Sequence, residues 1–243
     1  MKQTAQLQRL VIAPSQFQKE AINLTPQQQH YLSHVLRLRS GDHFIAMDGL
    51  GHWWMVKLEN TEAQILEQIS VQNELPISIT LIVALPKGNG FDEVVRCCTE
   101  LGATCIKPVL SDHTIPSPSP QKLGRWQRIA QEAAEQSERQ IVPTILAPVP
   151  FRNSLADETS HRYLCVARGT YPHFLNHLSA TISTTDLNAV TIATGPEGGW
   201  TDSEIEDAIN TGFQPVSLGR RILRAVTAPI VALSLAMAAL ECD

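Results

Sequence analysis

Hydrophobic positions along the chain change period several times, and each change marks an element. From Ile77 to Leu85 the residues are almost continuously apolar, the pattern of a strand buried on both faces of a parallel sheet. A helix over Phe91–Leu101, stopped by Gly102, and a strand over Cys105–Leu110 follow, which makes a βαβ unit. Between Arg125 and Gln140, Trp126, Ile129, Ala130, Ala133 and Ala134 recur at the helical period, while Arg128, Glu135, Glu138 and Arg139 fall on the other face. Short β-branched or apolar runs predict strands near Thr144–Leu146, Arg162–Ala167, Val190–Thr194 and Pro215–Leu218. A helix over Asp202–Asn210 opens with a capping box, Thr201 and Glu204, and ends at Gly212. The last helix, Ala228–Leu240, is apolar nearly all round and so must be covered by its own core or by a second chain.

The first 74 residues read differently. Thr25-Pro26-Gln27-Gln28 is a helix start with Thr as cap, and the helix is expected to run to about Arg37. Turn signals at Gly41-Asp42 and Asp48-Gly49 separate strand-like runs over Phe44–Met47, Trp53–Leu58 and Ala63–Val71. A small barrel is the economical way to close such strands. Asn73 to Pro76 is the expected boundary, which divides the chain into domains of residues 1–74 and 75–243. The stretch Ser117-Pro-Ser-Pro120 reads as a loop.

Composition narrows the class. At 43% hydrophobic and 18% charged, the 243 residues suit a globular chain of one or two domains. Five cysteines without a C-x-x-C pair argue against a disulfide framework and against structural zinc, and Cys97-Cys98 on a helix read as core fillers. No cationic segment with a following apolar run opens the chain, and the closing helix is too short for a bilayer; the cytosol is the expected compartment, with no membrane partner. His30/His34 and His173/His177 have metal-pair spacing but no adjacent Glu, so no metal is expected. A net charge of −5 means that any nucleic-acid contact must come from local cations: Arg37 with Arg39, Lys87 with Arg96, or Arg220 with Arg221. Gly88-Asn-Gly90 lacks the third glycine of a dinucleotide fingerprint, and no Walker lysine is present.

The chemistry concentrates in two loops. The strand Val190–Thr194 runs into Gly195-Pro-Glu-Gly-Gly199, and the strand Pro215–Leu218 into Gly219-Arg-Arg-Ile-Leu-Arg224. Glycines there let backbone N–H groups approach a ligand, and loops at the carboxyl edge of a parallel sheet are where ligands sit. The two loops are expected to lie side by side. Taken with Leu218-Gly219, Ile222-Leu223-Arg224 and Thr227, and with His30–Asp42, Leu85–Gly88, Thr99–Gly102 and Arg125–Pro143, this series resembles the SPOUT-class RNA methyltransferases. Within that class it is most similar to the bacterial 16S rRNA uridine-N3 methyltransferases of the RsmE type.

That resemblance implies a SPOUT-like α/β parallel sheet with a carboxy-terminal trefoil knot, a PUA-like RNA-binding barrel before it, and a homodimer. It implies S-adenosyl-L-methionine as cofactor, 16S rRNA or the small ribosomal subunit as partner, and methylation of uridine N3. The cofactor residues it implies are Ile192, Thr194, Gly195, Pro196, Glu197, Gly198, Gly199, Leu218, Gly219, Ile222, Leu223, Arg224 and Thr227. Arg224 is the catalytic candidate, as a cation near a uracil carbonyl; Arg37, Arg39, Lys87, Arg220 and Arg221 are the RNA candidates. Two positions depart from the pattern. Arg224-Ala225-Val226-Thr227 stands where the family usually shows Arg-Thr-Glu-Thr, and Cys97 where it often has Lys. The alternative reading is therefore an RNA- or ribosome-binding protein that keeps the fold and has lost catalysis.

Overall fold

The computed structural model describes residues 7–114, 119, 121–156 and 161–241. Of the proline-rich loop expected at Ser117–Pro120, only Ser119 lies within the described residues. The chain divides into two units: Met1–Glu74 with Ala134–Val142, and Leu75–Ala133 with Pro143–Asp243.

In the N-terminal unit, β1 (Arg9–Val11), β2 (Ala21–Asn23), β3 (His43–Met47), β4 (Trp53–Glu59) and β5 (Glu62–Ile69) form a five-stranded sheet in the order β1-β3-β4-β5-β2. Only β1 and β3 are parallel. In β4, Val56 and Leu58 join Ile12, Ile22, Leu32, Phe44 and Ala63 in one core cluster, whereas Trp53, before the register shift at Met55/Val56, packs with Ile45, Met47 and Ala134 in another. The strands β1 and β2 carry too few residues for a period-2 signal, and the sequence reading missed both. The helix start is as expected: Thr25 Oγ1 accepts from Gln28 N at 3.2 Å, and Gln28 Oε1 accepts from Thr25 N at 2.9 Å. The helix stops earlier than expected, however. Helix α1 covers Pro26–His30, and the chain then widens into a π turn over Tyr31–Val35. Arg37, at φ 59°, ends it in the left-handed region, and Leu38 N donates back to Leu32 O at 2.9 Å.

The C-terminal unit holds a parallel seven-stranded sheet built from β6 (Ser78–Ala84), β7 (Cys105–Leu110), β8 (Thr144–Ile145), β9 (Val149–Pro150), β10 (His161–Cys165), β11 (Ala189–Thr194) and β12 (Gln214–Val216). The order is β12-β10-β11-β6-β7-β8, with β9 also on β7. Helices α2 (Gly90–Glu100), α3 (Gln121–Gln136), α4 (Phe174–Thr184), α5 (Asp202–Asn210) and α6 (Thr227–Glu241) connect and cover it. The continuous apolar run reads true, since Ile79, Leu81, Ile82, Val83 and Ala84 are wholly buried.

Packing follows the expected stripes. Phe91 meets Trp126 edge to face at 4.5 Å, and Asp92 receives the Trp126 indole N–H at 3.1 Å and the Arg125 guanidinium at 2.9 Å. Burying two such rings is worth on the order of 2–3 kcal/mol each. Helix α3 starts and stops four residues before the expected range, because Glu138 adopts φ 64° and Arg139 N turns back to Ala134 O. Residues beyond the helix join the N-terminal unit, where Arg139, only 4% exposed, pairs with Glu74 at 2.6 Å. The other carboxylate oxygen of Glu74 accepts from Gln140 N and Ile141 N. Arg139 is thus a buried structural contact. Cys98 fills the core as expected, whereas Cys97 is only partly buried; desolvation and its hydrogen bond to Glu93 raise the Cys97 thiol to about 11. No helix among the described residues is long and apolar enough to cross a membrane.

Candidate cofactor cleft and its loops

In the sheet β10 lies between β11 and β12. Their loops nevertheless meet at the carboxyl edge, as expected, with the end of β10 as a third wall. A cleft of about 520 Å³, counting the solvent at its mouth, opens there between Cys165–Ala167, the Gly195–Trp200 loop and the Leu218–Ala228 segment.

Each loop is shaped by local hydrogen bonds. After β11, Gly199 N donates to Pro196 O at 2.9 Å, and Gly199 sits at φ 75°. A Cβ on Gly195 would stand 3.2 Å from the indole of Trp200, so only glycine fits without moving that ring. Trp200 in turn stacks on Phe151 with centroids 4.1 Å apart. The loop is held from three sides. Glu197 accepts from Lys87 N at 2.9 Å, the His113 ring donates through Nδ1 to Gly199 O at 2.9 Å, and the buried Glu204 accepts from both Thr201 N and Asp112 N. The capping box read from the sequence therefore also ties the loop to the segment after β7. After β12, Gly219 N donates to Ser217 Oγ at 3.1 Å with Gly219 at φ 121°. Arg224 O accepts from Thr227 N and Ala228 N, which starts α6.

Of the expected cofactor residues, Gly195, Pro196, Gly199, Leu218, Gly219 and Leu223 line the cleft. Glu197 and Gly198 belong to the same loop, braced by Lys87 and by His113. Ile192 and Thr194 are wholly buried in β11, Ile222 is 65% exposed, Arg224 is exposed, and Thr227 is the first residue of α6. Among the expected RNA residues, Arg221 lines the cleft and Arg220 is exposed; Lys87 follows β6; Arg37 and Arg39 are exposed in the N-terminal unit. Cys165, Val166, Ala167, Trp200, Ala225 and Ala228 also line the cleft and were missed. Their strand and helix were legible, but a wall contributed by β10 follows only from the sheet order. Burial pushes the Cys165 thiol up to about 12, so it stays protonated and unreactive at neutral pH. No group of three or more His, Cys, Asp or Glu among the described residues could hold a metal.

A parallel sheet with a glycine-walled cleft at its carboxyl edge, joined to a small curled sheet, defines an RNA methyltransferase: residues 73–237 match the RNA methyltransferase domain family, and residues 24–66 the RNA methyltransferase PUA domain family. More narrowly, the chain belongs to the ribosomal RNA small subunit methyltransferase E family. It is 52% identical over 240 residues to the Synechocystis member, covering 96% of this chain and 78% of that protein. It is 30% identical to the Bacillus subtilis member, covering 87% of this chain and 88% of that one. The Neisseria gonorrhoeae member, solved bound to S-adenosyl methionine, superimposes with a TM-score of 0.83 at 32% identity over 96% and 97% of the two chains.

Proposed function

We propose that this chain transfers a methyl group from S-adenosyl-L-methionine to N3 of a uridine in 16S ribosomal RNA. The observation that carries the reading is the cleft. Gly199 has no heavy atom within 4 Å of where a Cβ would stand, and Gly219 has only an Arg221 nitrogen at 4.0 Å, so both present bare backbone to an open space. With Leu218, Leu223, Ala225 and Trp200 as apolar walls, that space fits a flat adenine nucleoside. The cofactor, when bound, supplies an electrophilic methyl carried on a sulfonium.

The residues of this chain have three tasks. Gly195–Gly199 and Leu218–Leu223 hold the cofactor in line with the incoming base, which is the main requirement of the reaction. Arg37 and Arg39, with Arg220 and Arg221, hold RNA phosphates, and the target uridine leaves its stack to be reached. Arg224 faces negative charge on the uracil as N3 gives up its proton and forms its bond to the methyl carbon. The carboxylate the family usually shows nearby is absent, since Val226 stands there. Glu197 is engaged by Lys87 N and is not assigned the proton.

A knotted carboxy-terminal segment and a homodimer in the cytosol are part of the same proposal. Ile230, Val231, Leu235, Met237 and Leu240 are only partly buried on α6, an apolar edge that a second copy would cover. Val226 also favours the alternative reading, a ribosome-binding protein without catalysis. Labelled S-adenosylmethionine incubated with small subunits lacking the modification decides between the two. Label at one uridine N3 is the expected result; cofactor binding without transfer would leave the alternative standing.

A further inference from the structure

We infer that the stacked imidazoles of His30 and His34 form a platform on which the N-terminal unit stacks an unpaired RNA base. The inference rests on the proposed reading that this unit holds RNA, and it adds a site of a different kind from the arginine contacts. The two rings lie 4.4 Å apart between centroids and 18° from parallel, and both residues are exposed. His34 lies in the only π turn among the described residues and His30 immediately precedes it; such a widening is rare and frequent at functional sites.

The platform is pre-set. Ser33 Oγ donates its single proton to Gln29 O at 2.7 Å, so its oxygen accepts from His34 Nδ1–H at 2.8 Å, which restrains the ring. Leu32 is wholly buried on the inner side, whereas Val35 beside the rings is 58% exposed. Residues 26–40 contain no Asp or Glu, and Arg37 and Arg39 follow the rings directly. Arg37 is held at φ 59°, a region a long side chain seldom occupies, so the chain bends sharply just after the platform. Exposed aromatic rings in a segment that carries cations and no carboxylate match single-stranded RNA, whose bases stack on His as they do on Phe, Tyr or Trp.

The test uses the full-length chain with labelled single-stranded oligouridine and an abasic oligomer of the same length. His34→Ala is expected to weaken oligouridine capture roughly tenfold or more, the loss typical of one stacked base. His34→Phe should return to near wild type, because a ring face is restored. His34→Lys should not, although it adds charge. The abasic oligomer should bind wild type, His34→Ala and His34→Phe weakly and alike. Equal capture of the two oligomers by wild type, or rescue by Lys rather than Phe, would overturn the platform and leave charge as the contact. Unchanged oligouridine capture by His34→Ala, with reduced capture of the assembled subunit, would overturn it in favour of a protein contact. If wild type captured neither oligomer, RNA holding by this unit would fail with it, and the methyl-transfer assay would still judge the enzyme reading separately.

Discussion

Arg224 and Val226 are two residues apart and carry opposite expectations. The backbone of Arg224 is committed, since its carbonyl starts α6, while its side chain is exposed at the edge of the cleft segment. If it stabilises charge on the uracil, Arg224→Ala should slow transfer by about 10²–10³ while cofactor affinity changes little. Arg224→Lys should recover only part, because a point ammonium cannot reproduce the guanidinium fork. Single-turnover rates beside calorimetric cofactor affinities read both effects, and a rate indifferent to Arg224→Ala would remove its role. Val226 is packed: its Cγ2 lies 2.7 Å from where a Cβ on Gly90 would stand, so the absence of a side chain at the first residue of α2 makes room for it. In an active enzyme Val226→Glu should therefore leave transfer unchanged or lower it. A large gain in the same assay would mark this chain as a decayed enzyme.

At the scale of elements, the turns around the cleft set what the strands deliver. Gly195→Val must push the Trp200 ring out of its place, and Gly219→Val must hold a branched residue at φ 121°, a strain on the order of 1–3 kcal/mol. Both variants should lose most cofactor binding while circular dichroism still reports a folded sheet. Retained calorimetric affinity in both would put the cofactor elsewhere. The end of β10 makes a separate prediction. Cys165 has an ordinary value of 9.0 and is raised to about 12 in the folded chain by burial. Below about pH 9 the thiol is protonated in both states and contributes no pH dependence. From there toward pH 12 the unfolded chain gives up its proton more readily than the folded one, so stability falls as pH rises. The melting temperature of wild type should therefore drop more steeply above pH 9 than that of Cys165→Ala, as differential scanning fluorimetry across that range would show.

For the whole molecule, the two units should be separable by function. Charge reversal at Arg37 and Arg39 removes cations from the N-terminal unit and leaves the cleft residues untouched. RNA capture should fall, and its dependence on salt should become shallower because fewer phosphates are contacted, whereas cofactor affinity stays the same. Filter binding over a salt series, beside calorimetry, tests both halves. Full RNA capture by the double variant would place the RNA face elsewhere.

Much of this was legible in the chain because it depends on neighbours in sequence. The capping boxes at Thr25 and Thr201, the buried run of β6, the α3 stripe and the glycine turns at Gly199 and Gly219 each follow from spacing over a few residues. The short strands β8 and β12 were expected from their apolar runs, but the equally short β1, β2 and β9 carry no period and were found only in the fold. So were features set by partners distant along the chain. Glu135 accepts from Val11 N at 2.7 Å, and Glu74 holds Arg139. The cleft divides in the same way. Its loops were visible as motifs, because backbone freedom is local. Its third wall, Cys165 to Ala167, exists because β10 is inserted between β11 and β12, and strand order is decided by which faces can be buried together rather than by any residue taken alone.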